Sequence, residues 1–136
     1  MAYNLINVNV LDRRPSTGIG VALPFSNPKA VFTTVYSTRE QLKYNIINFL
    51  LTNRRERIFN ANFGANIRSK LFEQITDTTL DELDVLIRTG IQTYFPNVVI
   101  TNLSFGGDPN KNELLVQFSY TINSTGASDE IVISLT

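Results

Sequence analysis

The chain has 136 residues, with 12 Lys and Arg against 12 Asp and Glu, and it contains no His and no Cys. This length fits one compact domain, and a hydrophobic content of 43%, with nine Phe and five Tyr, can supply a folded core. Without His and Cys there is no imidazole base, thiolate nucleophile, disulfide or thiolate metal site. Ser-His-Asp and Cys-His catalysis are therefore excluded.

The charges divide unevenly along the sequence. Residues 1–70 hold ten basic and three acidic side chains, a net charge of +7, whereas residues 71–136 hold two basic and nine acidic side chains, a net charge of −7. Such an asymmetry can mark interaction surfaces. We hypothesise two faces of opposite sign for two different partners, and the alternative is solvated faces that sort by sequence position alone.

The N-terminal part is predicted to form a short strand and an extended arm. Apolar residues alternate with Asn over residues 5–11, which predicts a strand with one buried face. Residues 12–37 contain three Pro and two Gly that break regular structure, although residues 30–36 are β-branched and aromatic enough to be extended. We expect an arm that is ordered only where a sheet or a partner holds it.

No targeting or membrane segment is expected. The N-terminus lacks a basic start followed by an apolar core, which a secretory signal requires. The longest apolar stretch, residues 46–51, is too short to span a bilayer.

Two helices are predicted in the middle of the chain. Ser37 and Glu40 form a capping-box pattern, which predicts a helix over residues 38–52. Thr79 and Glu82 repeat the pattern before a second helix that a proline ends. The apolar stripes that should face the core are Leu42, Ile46, Phe49 and Leu50 in the first helix, and Leu80, Leu83, Leu86, Ile87, Ile91 and Tyr94 in the second.

Between the helices, the sequence predicts a short extended piece at residues 57–59, a turn at Gly64 and one or two helical turns at 67–72. After the second helix the period changes from 3.6 to 2, which predicts an antiparallel meander. Its strands are residues 98–105, 113–122 and 129–135, and the side chains expected on one face of the middle strand are Leu114, Val116, Phe118, Tyr120 and Ile122.

The predicted fold is therefore α+β, with two main helices packed on a small, mainly antiparallel sheet. A C-terminal three-stranded meander and an extended N-terminal arm complete it. Residues 1–36 form the N-terminal strand and arm, and residues 37–136 form the main domain of what is one domain overall.

Cofactor and metal sites are weakly indicated. Gly18 and Gly20 lack the Lys-Ser/Thr and the helix start that a phosphate loop needs. The acids at the start of the second helix lack calcium-loop spacing and suit the positive end of a helix dipole; they are Asp77, Asp81, Glu82 and Asp84. We expect no cofactor and no metal.

Catalysis by a carboxylate pair is also weakly indicated. A glycosidase needs one protonated and one ionised carboxyl group. Glu56 lies between Arg55 and Arg57, whose positive charges oppose the protonated state of a general acid.

The arginines of this segment suggest a further alternative. Arg54, Arg55 and Arg57, followed by Phe59 and Phe63, mix cations and aromatics as single-stranded nucleic-acid grooves do. The whole chain is neutral, with an isoelectric point of about 6.2, and lacks the basic footprint of such proteins. We favour a basic turn whose Phe side chains belong to the core.

One segment carries a family signature. Glu56-Arg57, Phe63-Gly64 and Leu71-Phe72-Glu73 follow one another at a characteristic spacing. This pattern resembles the signature of the baseplate wedge, or sheath-initiator, family of contractile-tailed phages, which type VI secretion baseplates share. The resemblance covers about residues 37–136.

The sequence departs from that family at three places. Arg55 stands where the family has Gly, and Ala61-Asn62 stands where it has Pro followed by an acid. Phe95-Pro96-Asn97 stands where the family often has Glu-Pro-Arg, a tripeptide associated with docking on neighbouring wedge subunits. An apolar contact through Phe95 could replace that charged contact, or Phe95 could belong to the core.

The resemblance implies a structural protein of the virion tail baseplate, not an enzyme, which assembles in the host cytoplasm. The implied partners are other baseplate wedge subunits and the first ring of tail sheath protein, with the tail tube or hub as an additional candidate. Neither nucleic acid nor a membrane is an implied partner. Sheath subunits exchange extended arms, so the resemblance implies a sheet edge offered for strand addition. Family members have been labelled lysozyme-like, which leaves a cell-wall glycosidase as the alternative.

The resemblance also implies roles for individual residues. Arg57 should hold the signature turn by a charge-assisted hydrogen bond, Phe63 and Phe72 should pack it on the helices, and Gly64 should adopt a backbone that a side chain would hinder. The candidate sites are the signature turn at Glu56, Arg57, Phe63, Gly64, Leu71 and Phe72, the wedge-docking tripeptide at Phe95, Pro96 and Asn97, and the strand-docking edge at Ile131, Val132, Ile133, Ser134 and Leu135.

Overall fold

A computed structural model of the chain describes residues 10–14, 16–23, 32–71 and 73–135. The chain divides into two compact units, residues 1–47 and 48–136. The helix α1 (Thr38–Leu51) crosses from the first unit into the second. The division into an arm and a domain at residue 37 stays a prediction.

The first unit contains a small antiparallel sheet. The strand β1 (Gly20–Val21) pairs with β2 (Thr34–Val35), which lies in the segment predicted to be extended. A 3-10 helix occupies Val10–Arg13. The strand predicted over residues 5–11 falls outside the described residues as far as residue 9, and it is wrong for the last two, which belong to the 3-10 helix.

The 3-10 helix supplies the cap of α1. The backbone amide of Thr38 donates to Asp12 Oδ1 over 2.7 Å, and the Thr38 hydroxyl donates to the other carboxylate oxygen. The first amides of a helix have no partner within the helix, and a negative charge is favoured there. Asp12, 26 residues earlier in the sequence, therefore satisfies a group that local capping leaves open.

The second unit contains the remaining α-helices and β-strands. The predicted α+β class and the C-terminal meander are confirmed, because the three long strands pair antiparallel in the order β3-β4-β5. The elements are α2 (Ile67–Leu71), α3 (Asp77–Tyr94), β3 (Val98–Gly106), β4 (Leu114–Ile122) and β5 (Ser128–Leu135).

Alternation along β4 sets the core face of the sheet, as predicted. Every second residue from Leu114 to Ile122 is buried, while α3 contacts β3. The buried apolar residues of α3 fall on the predicted stripe, at Leu83, Ile87 and Ile91. Buried side chains recur every two residues along β4 and every four residues along α3, and both sets contribute to the hydrophobic core.

The start of α3 differs from the prediction. The helix begins at Asp77, and Thr76 is its N-cap residue, whose hydroxyl accepts from the Thr79 amide over 3.3 Å. Thr79, predicted as the cap, is buried in the first turn, where its hydroxyl donates to the Gln74 carbonyl. Two threonines three residues apart offer the same local signal, and burial of the second decides between them.

Candidate functional site

The signature segment, residues 52–64, starts by finishing α1. Buried Thr52 donates from its amide and its hydroxyl to the Asn48 carbonyl, over 3.0 and 2.6 Å. After the segment has turned, the Ala65 amide donates to the Phe49 carbonyl over 3.1 Å. The last carbonyls of a helix lack partners within the helix, so the chain returns to satisfy one of them.

Glu56 holds the first turn of the segment. One carboxylate oxygen accepts from the Asn53 amide over 2.9 Å, and the other lies 3.3 Å from the Asn53 side-chain nitrogen. The Glu56 amide donates back to the Asn53 carbonyl over 3.3 Å. Both oxygens of this carboxylate are therefore bound to Asn53, one to its main chain and one to its side chain.

The turn continues into a closed loop, residues 55–61. The Arg55 amide donates to the Ala61 carbonyl over 2.8 Å, which joins the two ends of the loop. Arg55 has φ of 71°, in the left-handed region that non-glycine residues seldom adopt. Gly adopts this conformation without strain, and the resemblance noted in the sequence implies Gly at this position, so Arg55 keeps a backbone suited to Gly.

Gly64 ends the segment at a point where the backbone passes close to α1. Its φ is 121°, and a Cβ atom at this position would lie 2.4 Å from the Thr52 carbonyl oxygen. Both the dihedral angle and the contact exclude a side chain without movement of the backbone.

Four aromatic rings pack beside the segment. The Phe63 ring meets Phe49 edge to face at 5.4 Å between centroids and Tyr94 at 5.1 Å, and Phe49 meets Phe95 at 6.1 Å. The end of the Phe49 ring lies over Gly90 of α3, where a Cβ atom would come within 2.3 Å of Cζ. The aromatic cluster (Phe49, Phe63, Tyr94 and Phe95) thus joins the end of α1, the signature and the end of α3.

Arg57 contacts this cluster through its guanidinium group. The Cζ atom of Arg57 lies 4.0 Å from the centroid of the Phe63 ring, which is the geometry of a cation–π interaction. The charge-assisted hydrogen bond expected of Arg57 stays a prediction.

The third part of the signature lies at the end of α2. Leu71 is the last residue of α2, and Phe72 lies outside the described residues. Next to them, Lys70 Nζ lies 2.9 Å from a Glu82 oxygen and 3.0 Å from a Glu73 oxygen, and these hydrogen bonds, that to Glu82 foremost, raise the pKa of Lys70. Here a cation of the basic sequence half pairs with acids of the acidic half.

The tip of the loop differs from the prediction. Residues 57–59 bend without forming a strand. Ile58 and Phe59 are 92% and 101% exposed, so the expectation that Phe59 belongs to the core is wrong. The expectation holds for Phe63, whose ring is buried. The sequence did not predict the exposed loop tip or the packing of Phe49 on Gly90. A glycine inside a helical pattern can have a packing reason, and this was the available signal for Gly90.

The wedge-docking tripeptide forms the turn between α3 and β3. The Phe95 amide donates to the Ile91 carbonyl over 2.8 Å, and the Asn97 carbonyl accepts from Asn123 over 2.9 Å. Phe95 is half-buried, whereas Pro96 and Asn97 are exposed. One residue of the tripeptide therefore contributes to the aromatic cluster, and two face solvent.

Across the described parts of the chain, no three acidic side chains converge as a metal site, and none of the helices has the length and apolar character needed to cross a membrane.

One family model matches most of the chain. The family model described as "Baseplate wedge protein gp25" matches residues 36–127. No curated protein matches the chain.

Two solved structures share the fold. A crystal structure from Geobacter sulfurreducens, provisionally named a tail lysozyme, has 22% identity and a TM-score of 0.65, and the match covers 76% of this chain and 94% of that chain. The cryo-EM structure of the anti-feeding prophage baseplate has 17% identity and a TM-score of 0.52, with 82% of this chain and 77% of that chain covered.

Proposed function

This chain belongs to the baseplate wedge protein gp25 family, and from that premise we propose that it starts sheath assembly by offering the edge of β5 for strand addition. Membership makes it a structural component of the tail baseplate in the virion, associated with other baseplate components. The finer proposal names its partners as neighbouring wedge subunits and the first sheath ring, with the tail tube or hub as a further candidate. It also places assembly in the host cytoplasm.

The regularity of β5 carries the proposal. The sheet has two edge strands, β3 and β5, because β4 lies between them. Pairing of β3 with β4 shifts between Ile100 and Asn102, whereas β5 pairs with β4 at all eight of its positions without a shift. A bulge twists an edge away from further pairing, and a regular edge is a template for another strand. The structure therefore favours β5 over β3.

The side chains of β5 suit a strand that is fixed on one face and open on the other. Ile131 and Leu135 are buried and hold β5 on the core, while Val132 is 58% exposed and Ser134 faces solvent. In strand addition the main-chain hydrogen bonds provide affinity and alternate side chains set the register. An incoming strand could pair with β5 without disturbing its buried anchors.

A matched pair of substitutions tests this edge. Val132→Lys places a charge on β5, and Val99→Lys places the same charge on β3, where Val99 is 46% exposed. Edge lysines oppose strand pairing. We expect both variants to join the baseplate, and only Val132→Lys to lose sheath growth, as counted on particles by electron microscopy. Normal sheaths with Val132→Lys, or loss with Val99→Lys alone, would contradict the proposal.

We also propose that the tripeptide at Phe95, Pro96 and Asn97 docks on a wedge neighbour. Its two exposed residues follow directly on the aromatic cluster, so a partner there would contact a rigid support. Asn97→Lys should reduce incorporation into the baseplate and leave the melting temperature unchanged, because the Asn97 contact in the fold is made by its carbonyl. Full incorporation of this variant would remove the tripeptide from the interface.

The second candidate function is a cell-wall glycosidase, which the provisional name of one structural neighbour suggests. We propose instead that Glu56 is structural, since both of its carboxylate oxygens contact Asn53. Peptidoglycan release by the wild type and by Glu56→Gln should be equal or absent. Release that Glu56→Gln abolishes would favour the glycosidase.

A further inference from the structure

The tip of the 55–61 loop is an apolar surface that the fold itself does not use. Ile58 and Phe59 are adjacent and almost wholly exposed. Single exposed apolar residues are ordinary on protein surfaces. Two large adjacent ones, on a loop whose ends are joined by a hydrogen bond of 2.8 Å, form a small presented patch.

The loop is held in shape before any partner arrives. Glu56 fixes the turn through Asn53, and Arg57 lies on the buried Phe63 ring. Arg55 keeps a left-handed backbone that costs conformational energy. Preorganisation of this kind reduces the ordering cost of binding, and it gives the exposed tip a fixed base.

The charges around the tip define the chemistry of its partner. Glu56 uses its carboxylate within the loop, and Arg57 covers Phe63. Arg54 and Arg55 are exposed and form no ion pair within the described part of the chain. The segment therefore presents two exposed apolar side chains at its tip and two exposed cations at its start, a combination that complements an apolar socket bordered by carboxylates.

We propose that the loop 55–61 inserts Ile58 and Phe59 into an acidic-rimmed apolar socket on another baseplate protein. This inference rests on the proposed function for the setting, and it adds a contact distinct from the β5 edge and from the 95–97 turn. Aromatic residues, Phe among them, and arginine are enriched at protein–protein interfaces. Two arginines that form no ion pair with the described residues, on a chain with zero net charge, are too few for a nucleic-acid footprint.

The test measures binding of the labelled full chain to wedge complexes assembled from the other baseplate proteins of the same particle. The variant Ile58→Ser/Phe59→Ser should weaken binding about a hundredfold or more, because each of the two buried apolar side chains accounts for about a ten- to hundredfold change in affinity. Val85→Ser is the matched control, because Val85 is a 63% exposed apolar residue on α3. It should bind as the wild type does.

The charged rim has its own variant. Arg54→Gln/Arg55→Gln should weaken binding severalfold at low salt and reduce its salt dependence, whereas Arg68→Gln, an exposed arginine on α2, should not. Circular dichroism melting should show that all variants fold.

Each other result overturns the inference. Wild-type binding by Ile58→Ser/Phe59→Ser removes the loop from the interface and leaves the proposed function intact. Failure of the wild-type chain to bind the wedge complexes would contradict both the loop contact and the proposed function. Self-association, or binding to lipid vesicles or DNA, that the same loop variants abolish would replace the socket by that other partner.

Discussion

Replacing Gly90, a glycine inside α3, by Ala is predicted to destabilise the protein. Replacing Gly by Ala in a helix interior ordinarily stabilises a protein by about 1 kcal/mol. At Gly90 the added Cβ would lie 2.3 Å from Phe49 Cζ and within 3.2 Å of both Cε atoms. The Phe49 ring cannot withdraw freely, because Phe63, Tyr94 and Phe95 surround it.

The two effects can be weighed against each other. Overpacking of a filled core costs about 1–3 kcal/mol, against about 1 kcal/mol gained in helix propensity. We expect Gly90→Ala to lower the free energy of unfolding by about 1 kcal/mol, which corresponds to a fall of about 3–5 °C in melting temperature for a domain of this size. Urea unfolding and calorimetry would measure both quantities.

A neighbouring residue and a double-mutant cycle complete the test. Thr89→Ala, at an exposed position of the same helix, should leave stability unchanged or raise it slightly. In a Phe49→Leu background the ring is absent, and Gly90→Ala should become neutral or stabilising. If Gly90→Ala stabilises the wild-type chain as it would an ordinary helix, the packing of Phe49 on α3 is refuted.

Two further predictions concern Gly64 and Lys70. Gly64→Ala should lower the free energy of unfolding by about 2 kcal/mol or more, since φ of 121° and the Thr52 oxygen both oppose a side chain. Gly126 has open space around it, so Gly126→Ala should lower the free energy of unfolding by only about 1 kcal/mol. Chemical denaturation would compare them, and equal losses would contradict the close approach. The pKa of Lys70 is raised above its ordinary value of 10.5, so its stabilising contribution is present below pH 10.5 and is lost as pH rises through the native pKa. NMR titration should show that Glu82→Gln lowers the pKa of Lys70 more than Glu73→Gln does, and the reverse order would be evidence against the Glu82 contact as the main cause.

Periodic signals in the sequence predicted most of the second unit. The alternation along β4 and the stripe of α3 each repeat over several turns or pleats, so one wrong residue cannot change the assignment. The sequence offered only the local capping box at Ser37 and Glu40 for α1, and the contact from Asp12 could not be predicted, because Asp12 lies 26 positions from Thr38 and only folding brings them together. Exposure of Phe59 was equally hidden, since composition does not distinguish a core ring from a presented one.

The contact of Arg57 with the Phe63 ring gives a prediction about the stability of the signature segment. Its guanidinium lies 4.0 Å from the Phe63 centroid, and an exposed cation–π contact contributes about 0.5–1 kcal/mol. Arg57→Leu should therefore lower the free energy of unfolding by about that amount in urea denaturation, while Arg54→Leu, which lacks such a contact, should not. The loss should be smaller in a Phe63→Leu background, because the leucine has no ring face for the cation. An equal loss in both backgrounds would mean that Arg57 acts through another group, and the loop would then need a different explanation for its rigidity.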